Sequence, residues 1–177
     1  MGTIKTTNIE PIADNGTVTL GSSGDTFTMP SGVTVAGSMA NTPAFQAYAS
    51  ASQTYGNTNT VIQVNTEVFD SGSAYDTSTY KFTPQVAGKY YFYGQIWITS
   101  PGTNLSMEAK LTKSGAEFAV GDINSAVNRD QAVVVHAMVD LNGSTDYVQL
   151  LGYNSSSKST LVGSKYTYFG GYRMIGA

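Results

Sequence analysis

The run Lys89-Tyr90-Tyr91-Phe92-Tyr93-Gly94-Gln95-Ile96-Trp97-Ile98 limits the possible folds more than any other part of the chain. Side chains alternate across a strand, so Tyr90, Phe92, Gly94, Ile96 and Ile98 share one face, and Tyr91, Tyr93, Gln95 and Trp97 share the other. Both faces are apolar or aromatic, so such a strand needs cover on two sides. A second sheet covers one side, and a neighbouring subunit is expected to cover the other. The closing stretch behaves likewise: Tyr166, Tyr168, Gly170, Tyr172 and Met174 alternate with Thr167, Phe169, Gly171, Arg173 and Ile175.

The rest of the chain supplies partners of the same kind. Strands are expected at 44–49, 61–67, 81–82, 88–99, 104–112, 117–120, 131–140, 146–153 and 166–175. Asp70-Ser71-Gly72, Ser100-Pro101-Gly102, Lys113-Ser114-Gly115, Asn142-Gly143 and the polar run 154–157 separate them. No stretch carries a convincing helical period. Many short strands at regular spacing indicate a sandwich or a barrel. The 12 Tyr and 7 Phe suit pleated, half-buried surfaces, and a charged fraction of 12% leaves the polar surface to Ser, Thr, Asn, Gln and Gly. The net charge of −3 and the scattered basic residues argue against a nucleic-acid partner. The chain has no cysteine, which excludes a disulfide framework and a thiol nucleophile. No segment approaches the ~20 apolar residues of a membrane helix, so no membrane insertion is expected. Met1-Gly2-Thr3-Ile4-Lys5 has no apolar run behind it and does not read as a secretory signal; a protein freed by cell lysis needs none.

A boundary is expected near Asn41-Thr42-Pro43. Residues 1–41 hold short alternating fragments between glycine turns, with Val18 and Leu20, Phe27 and Met29, and Val33 and Val35 sharing faces. A ribbon of such short strands is not stable alone, but three copies around an axis would cover it. A β-rich trimeric stem or docking region is therefore expected over 1–41, with a head over 42–177.

Several stretches of the head resemble the globular domain of complement C1q. Pro43-Ala44-Phe45-Gln46-Ala47 is similar to that family's opening strand. Phe69-Asp70 and Tyr75-Asp76, then Lys81-Phe82-Thr83-Pro84 and Gly88-Lys89-Tyr90-Tyr91-Phe92, resemble its most distinctive motif. Leu111-Thr112-Lys113-Ser114-Gly115, the strand pair 133–141 and 146–150, and Tyr168-Phe169-Gly170-Gly171-Tyr172 follow in the family's order. The resemblance covers roughly residues 43 to 177. It implies a ten-stranded jelly-roll β-sandwich of the C1q/tumour-necrosis-factor type, working as a homotrimer. Three features depart from the family: Thr83 stands where a cysteine is usual, the turn before Asp146 is longer, and no collagen Gly-x-y repeat precedes the head. The Gly/Thr/Ser-rich stem instead resembles those of phage tail fibres and virion surface fibres.

Candidate sites follow from the loops. Tyr55, within Ser52-Gln53-Thr54-Tyr55-Gly56-Asn57, and Tyr153 before Asn154 read as exposed aromatics able to stack on a sugar ring, with Asn154 bonding its hydroxyls; the alternative is ordinary loop filler. Asp122, Asn124, Asn128 and Asp130 form an oxygen-rich set suited to calcium, the one candidate cofactor, or else a solvated loop of Asx turns. His136 is the chain's one histidine and reads as a structural residue of its strand, with a threefold ring in a trimer as the alternative. The carboxylate pairs Asp70/Asp76 and Asp122/Asp130 come without a groove for a glycan chain, and one histidine is poor material for nucleophilic catalysis. No enzymatic activity is expected.

The expected function is that of a homotrimeric virion fibre or spike tip on the particle surface, outside the cell. Its stem would meet other virion proteins, and its head a host surface glycan or protein. The alternatives are a structural decoration or adaptor trimer on a capsid or tail, and a soluble lectin-like binding protein.

Overall fold

The computed structural model describes residues 23–26, 28, 29, 31 and 42–175. The chain separates into two compact units, Met1–Val35 and Ala36–Ala177. The strand fragments expected around Val18, Leu20, Phe27, Val33 and Val35 lie outside the described residues.

The second unit is all-β. Its strands are β1 (Ala44–Tyr48), β2 (Thr54–Tyr55), β3 (Thr60–Val61), β4 (Thr66–Ser71), β5 (Tyr75–Asp76), β6 (Lys81–Phe82), β7 (Gly88–Ile98), β8 (Ser106–Lys113), β9 (Ala116–Asn124), β10 (Gln131–Leu141), β11 (Val148–Asn154), β12 (Lys158–Ser159) and β13 (Tyr168–Arg173). One sheet runs β10-β7-β13-β1-β4 and the other β5-β6-β11-β8-β9, all neighbours antiparallel. These ten strands make the expected jelly roll. The two-residue β3 adds to β11, and β2 pairs with β12 as a separate ribbon.

The single strand expected over 61–67 is two strands in different sheets. β3 lies in the second sheet and β4 in the first. Between them the chain turns sharply, with the Val64 N–H donating to the Ile62 carbonyl at 2.9 Å. Ile62 and Val64 are both buried at this crossing.

Aromatic residues fill the space between the sheets. Phe45 stacks on Tyr75 at 4.6 Å and on Phe82 at 4.7 Å, and meets Phe169 edge-on at 5.0 Å. Phe92 lies against Phe82 and Phe169. Two of the buried phenols keep partners: Tyr75 donates to the Val64 carbonyl at 2.7 Å and Tyr90 to the Val86 carbonyl at 2.6 Å. Burial raises the pKa of both hydroxyls.

At its β9–β10 edge the sandwich closes tightly. A Cβ on Gly121 would stand 1.9 Å from the Val134 carbonyl oxygen, so only glycine lets these two backbones approach. Both sheets also run the same way end to end. The Ala44 end carries the start of β7, the end of β10 and the turn 142–146. The opposite end carries the β2–β12 ribbon and the loops 99–105 and 125–130.

Candidate functional site

The outward face of the first sheet is built from register-matched rows. Met138, Tyr91, Tyr172 and Ala44 stand side by side across β10, β7, β13 and β1. The next row is His136, Tyr93, Gly170, Gln46 and Phe69, and the next is Val134, Gln95, Tyr168 and Tyr48. The rings touch. Tyr91 lies 5.6 Å from Tyr172 and 6.4 Å from Tyr93, and Tyr93 meets Tyr168 edge-on at 6.2 Å. A Cβ on Gly170 would come within 2.4 Å of the Tyr93 hydroxyl, so this glycine gives the Tyr93 ring its place on the sheet. Burial raises the Tyr93 pKa, and the neighbouring phenols of Tyr168, Tyr172 and Tyr91 add to it. Gln95 fixes its row by donating from Nε2 to the Tyr166 carbonyl at 2.8 Å.

This face is open in the single chain. Met138 is 62% exposed, Val134 50%, Phe69 47% and Tyr172 39%. Four large apolar side chains on one sheet face form a patch of the kind that marks an interaction surface. Within the single chain the second sheet covers one face of the central strand, where Tyr90, Phe92, Ile96 and Ile98 are fully enclosed; Tyr91, Tyr93 and Trp97 on the other face, where a neighbouring subunit was expected, are half-buried. His136 sits exposed on this face, its ring 6.2 Å from that of Tyr91.

The predicted sugar-stacking residues do not share an exposed surface. Tyr55 is 4% exposed and belongs to the core. The β2–β12 pairing holds it down, and Gly152 of β11 leaves room for its ring, which would lie 2.8 Å from a Cβ there. Burial raises its pKa, and its hydroxyl has no hydrogen-bond partner. Asn154 is also buried; its Oδ1 accepts from the Ser156 N–H at 3.3 Å. Tyr153 is half-buried on the outward face of the second sheet, opposite Glu108, with the Lys110 ammonium 6.0 Å from its ring. Lys110 is paired with Glu108 at 2.8 Å and Glu117 at 3.0 Å.

The four residues of the calcium set have separate surroundings. Asp122 lies in β9 opposite Glu108, and Asn124 ends the same strand opposite Ser106. Asn128 is exposed in the loop that follows, and Asp130 accepts from the Ser100 N–H at 2.9 Å. Ser125 organises this loop: its hydroxyl donates to the Val127 carbonyl at 2.9 Å and to the Gly102 carbonyl, and its N–H donates to the Leu105 carbonyl. Among the described residues no group of three or more His, Cys, Asp or Glu stands close enough to share a cation.

Sequence reasoning passed over an open cleft of about 580 Å³ at the end opposite Ala44, lined by Trp97, Ile123, Arg129, Asp130, Gln131 and Ala132. The Trp97 ring meets Tyr166 at 87° with centroids 5.2 Å apart. Its Nε1 is enclosed without a hydrogen-bond partner, as is Gln131 Oε1. Trp97 was legible as an outward-facing aromatic, but its approach to Arg129 and Gln131 depends on how β7 and β10 pair.

The sequence matches the C1q domain family over residues 44–174. None of the curated proteins matches it. Among solved structures, murine APRIL resembles it with a TM-score of 0.59 at 11% identity, over 75% of this chain and 98% of that one. Eiger TNF from S. frugiperda gives 0.58 at 13% identity, over 78% and 96%. The globular domain of zebrafish complement 1qA protein gives 0.55 at 17% identity, over 75% and 97%. At these identities the likeness establishes the fold.

Proposed function

The chain belongs to the C1q domain family, and from that premise we propose that it is a homotrimeric virion fibre or spike tip whose head contacts a host cell surface. The observation that carries the proposal is the open face bearing Met138, Val134, Tyr172 and Phe69. A second and a third copy of the same chain cover this face, burying the phenol rows. The assembly is a binding module, not an enzyme. Residues 1–41 hold it to other virion proteins. No helix among the described residues is long and apolar enough to cross a membrane.

Three weak sites on one rigid tip bind together far more tightly than one, commonly by about 10² or more. The test is retention of the labelled full chain on host cells, beside the variant Met138→Glu, which puts a charge into each covered face. The intact protein should bind, and the variant should lose binding by about a hundredfold. No retention of the intact protein on any host cell would remove the adhesive role and favour a purely structural decoration trimer.

A further inference from the structure

We propose that assembly of the trimer is gated by acid through His136, and weakens as the pH falls below about 6.5. This rests on the reading that further copies of the chain cover the outward face of the first sheet, and it adds the regulation of that contact.

His136 is the chain's one histidine, and histidine is the side chain whose charge ordinarily changes between pH 5 and 8. It stands exposed in the middle of three outward rows, between Val134 and Met138 on its own strand and beside Tyr93 on β7. The other members of those rows are apolar side chains, phenols, hydroxyls, glutamines and a glycine, none of which carries charge in that range. Charge appears one row beyond Met138, where Lys89 and Asp140 pair with each other at 3.3 Å. One row beyond Val134 stand Ala132 and Trp97. Packed on the other side of β10, β8 and β9 hold Glu108, Lys110 and Glu117 in one ion-paired cluster, Lys113 paired with Asp146, and Asp122 opposite Glu108. Among the described residues the His136 ring has neither an ion pair nor a hydrogen bond.

Assembly changes the surroundings of this ring in one respect. In the free chain, water solvates the imidazolium. Under a neighbouring copy that water is gone and no carboxylate of these rows replaces it, so the neutral ring is favoured. The Tyr91 ring, 6.2 Å away, attracts an imidazolium, but it does so with and without the neighbour, and the effect cancels. The free chain therefore binds protons that the trimer excludes. Assembly is fully favoured above about pH 6.5 and loses ground as the pH falls below it. At pH 5.5 each chain contributes a loss of about tenfold, and three chains multiply to about a thousandfold in the trimerisation constant.

The full chain, carrying a fluorescent label, is followed by sedimentation equilibrium from nanomolar to micromolar concentration at pH 7.5 and 5.5, with circular dichroism at both. The trimerisation constant should fall about a thousandfold at pH 5.5 while the circular dichroism stays unchanged. The variant His136→Gln, neutral at both pH values, should assemble alike at both. The variant His136→Arg, charged at both, should be largely monomeric at both. Each alters a side chain exposed in the single chain, so neither disturbs the core. A trimer that persists equally at both pH values, one that tightens at pH 5.5, or a fall that His136→Gln retains overturns the proposal and leaves the trimer standing. So does a fall that comes with loss of the circular dichroism signal. An unaltered chain that is monomeric at both pH values contradicts the trimer itself, and the proposal falls with it.

Discussion

Tyr75 shows how one residue ties the core to pH. Its ring stacks on Phe45, and its hydroxyl donates to the Val64 carbonyl at the crossing between β3 and β4. Burial favours the neutral phenol, so its folded pKa lies above the ordinary value of about 10. The folded chain then holds a proton that the unfolded chain releases. Its contribution is complete below about pH 10 and is lost as the pH climbs from there toward the folded value. Tyr75→Phe should make the alkaline fall in the urea midpoint shallower, at a cost of about 1 kcal/mol near neutrality for the lost hydrogen bond. An unchanged alkaline limb would assign the effect to Tyr55 and Tyr90, which burial perturbs in the same direction. Residue-level reading of the sequence was weakest at Tyr55 and Asn154. Their polar neighbours suggest an exposed loop, but their burial follows from the Gly152 approach and the β2–β12 ribbon, which are contacts between distant segments.

Among the elements, β7, β10 and β11 were legible, whereas β9, expected only over 117–120, and the crossings were not. β7, β10 and β11 carry alternating apolar registers longer than most strands, and each lies within about two residues of its expected limits. The run 61–67 alternates as one strand would, yet its halves join opposite sheets. Alternation specifies which side chains point inward; it does not specify which sheet receives them. Strands β2, β5 and β12, two residues each, are too short to show any period. The closure between β9 and β10 gives this scale its prediction. Gly121→Val forces the two backbones apart at Val134 and should lower stability by about 3 kcal/mol or more, read as a reduced urea midpoint. The same change at Gly56, where a Cβ would stand an ordinary 3.5 Å from Ser157 and the backbone is not left-handed, tests that the effect is steric and local.

For the whole molecule, one sheet face is open and aromatic and the other sheet's face is charged and paired. The first sheet presents Met138, Tyr91, Tyr93 and Tyr172 outward. The second presents Lys110 between Glu108 and Glu117. Water suits the second face and not the first, so association through the first is the arrangement that hides the larger apolar area. Sequence alone pointed to this from the two-sided apolar strand, and the register of four strands turns that hint into rows of touching rings. The most direct test is the solution mass of the full chain by sedimentation equilibrium at micromolar concentration. The account predicts a single species of three times 18.7 kDa, shifted toward the monomer by Met138→Glu. A stable species of 18.7 kDa for the unaltered chain would contradict it.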